Sequence, residues 1–225
     1  MTNTVKTVAM TEQIYAYLVR QAEPPSAIQQ RLIEQTRRLG SAAEMQIPHE
    51  QAVFLTLLVK LTGAKKIVEV GTFTGYSTLA LAVGMPSGGQ LITCDVSADW
   101  GQIAQDAWRQ AGVADRIDLR LGPAGQTLRR LPETADVDLV FLDADKTGYI
   151  EYWDLLVPRV RPGGMLLADN VLYYGEAADE LPEGNAAAIA AFNAHVRADS
   201  RVESVVLPIA DGLTVARKKT REELS

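Results

Sequence analysis

Apolar residues recur at three- and four-residue steps from Thr11 to about Leu61: Ile28, Leu32, Ile33 and Leu39 form one set, and Val53, Leu57, Leu58 and Leu61 another. That spacing lines one face of a helix. Pro24-Pro25 and Pro48 divide the stretch into three predicted helices, because proline has no amide hydrogen with which to continue the ladder. After Gly63 the pattern becomes short apolar runs separated by helical periods. The runs predict strands at residues 66–70, 90–95, 117–121, 137–142 and 164–168, and the periods predict helices at 77–83, 99–111, 125–131 and 149–160. Pro162-Gly163-Gly164 reads as the turn before the last of these strands.

An alanine-rich helix is expected at 185–198, after a loop at 174–184 that holds four acids, Pro182 and two glycines. Runs at 202–207 and 213–216, joined by Pro208-Ile209-Ala210-Asp211-Gly212, predict a hairpin with Asp-Gly in its turn. Strands that alternate with helices pair in parallel, because each helix carries the chain back across a face of the sheet. The expected fold is therefore α/β. It has seven strands in a mostly parallel sheet with a C-terminal antiparallel hairpin strand, helices on both faces and extra N-terminal helices.

Composition narrows the classes without choosing one. With 225 residues, 47% hydrophobic and 22% charged, the chain suits one globular domain with a sizeable core. A net charge of -6 argues against a broad nucleic-acid or anionic-membrane surface, either of which needs clustered Lys and Arg. The single cysteine, Cys94, excludes an internal disulfide and, inside an apolar run, reads as packing. No apolar stretch has signal-peptide or membrane-spanning length, so a cytoplasmic protein is expected. The two histidines, His49 and His195, lie in separate helical regions, which speaks against a zinc centre or a histidine-based triad; His49 stays within reach of an acceptor pocket.

Two strand ends carry hard oxygen ligands. Residues 137–142 run into Asp143-Ala144-Asp145-Lys146, and 164–168 into Asp169-Asn170. Carboxylate and amide oxygens suit Mg2+, with Ca2+ or Mn2+ as alternatives, and Lys146 beside them is a candidate base. The competing reading makes Asp143 and Asp169 helix caps; Asp145 reads as a cap or a supporting group.

The first strand opens into Glu69-Val70-Gly71-Thr72-Phe73-Thr74-Gly75-Tyr76-Ser77. Gly71 and Gly75 permit a tight turn before a helix, the place where open sheets bind ligands. Asp95 ends the next strand 20 residues beyond Gly75, where a carboxylate accepts from a ribose diol. NAD and S-adenosylmethionine (SAM) both fit that much. The glycine spacing lacks the third glycine of dinucleotide enzymes, and Glu69 would repel a pyrophosphate while suiting a positively charged cofactor. SAM is favoured.

Taken together, Val68 to Ser77, Gly122-Pro123-Ala124, Phe141 to Lys146, Ala168-Asp169-Asn170-Val171-Leu172 and Asp211-Gly212-Leu213-Thr214 resemble the cation-dependent O-methyltransferases, the family of caffeoyl-CoA and catechol O-methyltransferases and especially its bacterial branch. The resemblance implies a Rossmann-like class I methyltransferase, with residues 1–225 as one domain, 1–62 as a helical cap and 63–219 as the SAM-binding core. It implies that Asp143, Asp169 and Asn170 hold the metal and that Lys146 is the base. Met45, Ile47, Glu69, Gly71, Thr72, Phe73, Gly75, Ser77, Asp95, Ala124 and Asp143 would surround SAM. Lys146, Asn170 and Tyr173 would meet the acceptor, a vicinal dihydroxy aromatic of catechol, caffeoyl or polyphenolic type. It further implies a homodimer. The chain departs from the family pattern after Gln51: Ala52-Val53 stands where Gly-Gln usually follows the glutamate or glutamine of the second N-terminal helix, and Pro48-His49 is likewise unusual, both on the border of the acceptor pocket.

Overall fold

A computed structural model describes residues 7–224, so residues 1–6 and 225 of the expected domain lie outside it. Three helices come first: α1 (Glu12–Gln21), α2 (Ala27–Arg37) and α3 (His49–Thr62). Side-chain oxygens start two of them by taking amide hydrogens that would otherwise have no partner. Thr11 accepts from Ile14 N–H, and Ser26 and Gln29 form a reciprocal capping box. A 3-10 turn (Gly40–Met45) leads to α3, which stops at Gly63 in the left-handed region (φ 64°).

The alternating part follows as β1 (Lys66–Val70), α4 (Tyr76–Gly84), β2 (Gln90–Asp95), α5 (Ala98–Gln110), β3 (Ile117–Leu121), α6 (Ala124–Arg129), β4 (Val137–Leu142), α7 (Tyr149–Leu156), β5 (Val160–Ala168), α8 (Gly184–Ala198), β6 (Val202–Leu207) and β7 (Leu213–Lys218). One seven-stranded sheet results, in the order β3-β2-β1-β4-β5-β7-β6. β1 to β5 pair in parallel; β7 runs antiparallel to both β5 and β6. The chain builds outward from β1 in one direction and then restarts with β4 on its other side. That reversal opens a crevice at the carboxyl ends of β1 and β4.

Alternation along the strands divides the core. Ile67, Leu91, Leu139, Phe141 and Leu167 pack under α2 to α5, with Leu55, Leu81 and Trp108. Val68, Val140, Leu142 and Leu166 face α6 to α8, with Trp153, Leu156 and Phe192. Among the described residues no helix is long and apolar enough to cross a membrane.

Two expectations are corrected. α7 ends at Leu156 and gives way to a 3-10 turn (Val157–Arg159), and β5 already begins at Val160, so Pro162-Gly163-Gly164 lies inside a strand. Pairing with β4 jumps from Val137↔Val160 to Leu139↔Met165, a bulge shaped by Gly163 (φ 75°) and held by Arg161 Nε on Asp138 Oδ1 at 2.6 Å. A proline inside a strand is tolerated at such a bulge, where the ladder is already interrupted. The second is small: β7 runs two residues beyond the expected end at Ala216. The hairpin forms as expected, with Ala210 (φ 48°) and Gly212 (φ 87°) turning its connection.

Candidate active site

The carboxyl ends of β1, β2, β4 and β5 open into a cavity of about 860 Å3, within the range of pockets that hold drug-sized ligands. Thirteen of the residues singled out from the sequence line it: Met45, Ile47, Gly71, Thr72, Phe73, Ser77, Asp95, Ala124, Asp143, Lys146, Asp169, Asn170 and Tyr173. Glu69 and Gly75 do not line it.

The glycine turn is fixed from both sides. A Cβ on Gly71 would lie 1.7 Å from the Asp143 carbonyl oxygen, so only glycine lets the turn after β1 press against the end of β4. One on Gly75 would lie 2.6 Å from Ala104 Cβ, and the Gly75 carbonyl accepts from Trp108 Nε1 at 3.1 Å. Gly75 therefore seats the turn on α5 rather than facing the cavity. Asp95 Oδ2 accepts from the amides of Thr72 (3.1 Å) and Phe73 (2.7 Å), tying β2 to the turn. Above it, Phe73 meets Trp100 edge to face with ring centroids 4.9 Å apart. α4 starts after Gly75 with no side-chain cap, so first-turn amides remain available to an anion.

Glu69 sits one layer behind this wall, fully buried. Its Oε2 accepts from Thr78 (2.5 Å) and Thr93 (2.6 Å), and Thr93 in turn lies 2.5 Å from the hydroxyl of Thr72, which does line the cavity. Oε1 has no hydrogen-bond partner. Burial pushes its carboxyl up to about 7 against the opposing hydroxyls of Thr78, Thr93 and Ser77; nearby Asp143 adds to the rise.

The ends of β4 and β5 form the other half. Lys146 Nζ donates to Asp143 Oδ1 (3.2 Å), Asn170 Oδ1 (2.7 Å) and Tyr149 Oη (2.7 Å), so all three ammonium hydrogens are placed. Tyr149 Oη donates onward to the Asp169 carbonyl at 3.1 Å. Its own ionisation is pushed well up by burial and by Asp143 and Asp169, which keeps it a neutral phenol. Asn170 has φ 54°, a left-handed turn that brings its amide oxygen to Lys146. Asp169 is 2% exposed; burial first, then the Asp143 charge, raises its carboxyl, opposed by the Asn170 amide, Gln51 and Lys146. The Asp143 carboxylate and Asn170 amide oxygen, which meet on Lys146, together with the neighbouring Asp169 carboxylate are a donor set that fits a small divalent cation. Among the described residues no three His, Cys, Asp or Glu gather to hold a metal, so such a set would comprise two carboxylates and one amide. Asp145 also lines the cavity but is engaged by Tyr152, its Oδ1 accepting from Tyr152 Oη at 2.7 Å.

Residues 20–219 match the family model described as O-methyltransferase. The chain belongs to the cation-dependent O-methyltransferase family. It is 39% identical over 216 residues to "Probable caffeoyl-CoA O-methyltransferase 1" of Dictyostelium discoideum, covering 94% of each chain. It is also 36% identical to tricin synthase 2 of Oryza sativa subsp. japonica, covering 95% of this chain and 77% of that one. The O-methyltransferase from Bacillus cereus in complex with SAH superposes with a TM-score of 0.84 at 28% identity, covering 92% of this chain and 97% of that chain. TomG from Streptomyces achromogenes, in complex with SAM, gives 0.83 at 28% identity, covering 94% and 100%. The protein is thus a SAM-dependent O-methyltransferase of caffeoyl-CoA type acting on a small molecule.

The cavity also brings together side chains that the motifs did not announce. Gln51 Nε2 donates to Asp169 Oδ2 at 2.8 Å; its place one and two turns before Leu55 and Val59 was the available signal for burial. Trp100, Tyr152 and Asn185 also line the cavity, and Asn185 Nδ2 donates to Tyr173 Oη at 3.1 Å. His49 turns away from the main cavity. Its ring nitrogens lie 2.7 Å from Tyr76 Oη and from the Glu23 carbonyl, beside a separate 320 Å3 pocket. Cys94 is buried, and that burial pushes its thiol up to about 12.

Proposed function

We propose that the methyltransferase moves the methyl group of SAM to one hydroxyl of a vicinal dihydroxy aromatic, with a divalent cation held by Asp143, Asp169 and Asn170. The observation that carries this reading is the convergence of Asp143 Oδ1 and Asn170 Oδ1 on Lys146 Nζ, at 3.2 and 2.7 Å, on the same cavity wall as the Gly71 turn. When bound, Mg2+, Mn2+ or Ca2+ supplies Lewis acidity and a chelating template for two adjacent oxygens. Lys146, the base in this reading, first releases one of its three ammonium hydrogens to solvent and, as the neutral amine, takes the proton of the reacting hydroxyl. The acceptor oxygen then bonds to the methyl carbon as the carbon–sulfur bond breaks in line, and the sulfonium leaves as a neutral thioether. Tyr149 keeps the lysine aimed throughout, since its phenol bonds both Nζ and the strand end.

Met45, Ile47, Gly71, Thr72, Phe73, Ser77, Asp95 and Ala124 form the SAM side in this reading, with Glu69 acting through the threonine hydroxyls in front of it. Tyr173 is the wall for the aromatic ring. In this reading the described residues 7–62 form a cap and 63–219 the cofactor-binding core of one domain. Relatives named for caffeoyl-CoA and tricin support a phenolic acceptor. A homodimer in the cytoplasm completes the proposal; α1 has no buried residue and leaves Tyr15, Tyr17 and Leu18 exposed, a face for a second copy.

The test is methyl transfer from labelled SAM to a panel of aromatic 1,2-diols. Turnover should stop in EDTA and return with Mg2+ or Mn2+. Full turnover in EDTA would remove the cation from the reading, and absence of product with every diol would remove the acceptor class.

A further inference from the structure

Gln51 lies in the first turn of α3, fully buried, and its amide reaches across 118 positions of sequence to Asp169. The amide orientation is dictated chemically. Turning it over would place the carbonyl oxygen against the Asp169 carboxylate, two acceptors with no hydrogen between them. With the NH2 group on Asp169 Oδ2, the oxygen Oε1 is left buried with no hydrogen-bond donor. An amide oxygen in that state costs about 1–3 kcal/mol, so its retention on a cavity wall points to a donor that arrives with a ligand. A divalent cation keeps part of its water shell, and one held by Asp169 would bring water able to supply such a donor.

We propose that Gln51 is a positioning residue for the cation site. It fixes Asp169 from behind through Nε2 and offers Oε1 to the hydration of the ion. The second oxygen of Asp169 is already set by the Asn170 amide at 2.8 Å, so Gln51 is what remains to fix the carboxylate plane. The inference rests on the cation site proposed above.

Calorimetric titration of Mn2+ into protein saturated with S-adenosylhomocysteine tests it, comparing the wild type with Gln51→Leu and Gln51→Met. Side chains that hydrogen-bond a metal ligand are worth about ten- to a hundredfold in affinity, and both variants should lose Mn2+ affinity by that factor. Affinity for S-adenosylhomocysteine in EDTA should stay unchanged, and kcat should recover at saturating Mn2+. A wild type that binds no Mn2+ overturns the cation site itself. Wild-type binding matched by both variants, or a parallel loss of S-adenosylhomocysteine affinity, overturns the role of Gln51 alone. If the leucine variant does not fold, the methionine variant, of similar length, decides between these outcomes.

Discussion

Thr36 on α2 donates a 2.9 Å hydrogen bond to Thr74 Oγ1 in the glycine turn, with both residues buried. The contact joins the N-terminal helices directly to the turn whose Thr72 and Phe73 line the cavity. Met45 and Ile47, which follow α2, thereby share a frame with Thr72 and Phe73 on the opposite wall.

Replacing Thr36 with valine keeps the volume and removes the donor. The Thr74 hydroxyl then stays buried without this partner, at a cost of about 1–3 kcal/mol. Urea unfolding should show that loss, and calorimetry should show weaker S-adenosylhomocysteine binding. Stability and affinity both equal to wild type would mean that the helices are held by other contacts.

Lys146→Met removes the amine while keeping the length of the side chain. General-base groups contribute about 10²–10⁴ in rate, so kcat should fall by that factor while S-adenosylhomocysteine binds as before. An activity within a few-fold of wild type would transfer the proton to another acceptor.

Glu69 gives stability a defined pH dependence. Its carboxyl rises from 4.5 to about 7 in the folded protein. Below 4.5 it is neutral in both states; between 4.5 and 7 the unfolded chain releases the proton first, so folding weakens as pH rises through that window. The full effect is about 3 kcal/mol, and above about 7 it is constant. Glu69→Gln should flatten this slope and gain on the wild type at pH 8 in the absence of cofactor. Parallel denaturation midpoints from pH 5 to 8 would show that Glu69 is not the group responsible.

Among the described residues, six acidic side chains line the cavity, Glu44, Asp95, Asp143, Asp145, Asp169 and Asp211, against one basic side chain, Lys146, and the divalent cation proposed above. A thioester of coenzyme A brings several phosphate charges to that wall, whereas a free catechol brings none. Charge focusing in clefts changes association about tenfold or more, so kcat/KM should favour the uncharged diol by at least that factor, and added salt should narrow the gap. Equal kcat/KM for the two acceptors at low salt would place the acceptor tail outside this field.

Local signals were legible. The strands, the glycine turn and the acids at the ends of β4 and β5 all follow from short-range periodicity and from residues adjacent to it. The Pro162-Gly163-Gly164 bulge was not, because what holds it in a strand is Asp138 on the neighbouring strand. Glu69 was read as facing the ligand from its position before the glycines, although alternation with Ile67 assigns it to the helix-covered face, where Thr78 and Thr93 meet it. Gln51 was legible as a buried polar position, but its partner lies 118 positions away, and no periodic pattern reports a contact of that range.

The hairpin between β6 and β7 returns to the loop after β5: the Val171 and Leu172 amides donate to the Gly212 and Asp211 carbonyls at 3.0 and 2.9 Å, and Tyr174 N–H donates to Asp211 Oδ1 at 2.7 Å. During synthesis the parts of the cofactor side, from the first helices through β4, leave the ribosome well before these clamps exist. The wall proposed for the acceptor closes only after the β6–β7 connection has emerged. A growing chain therefore makes the proposed methyl-donor side first, and the transfer proposed above must wait for that connection.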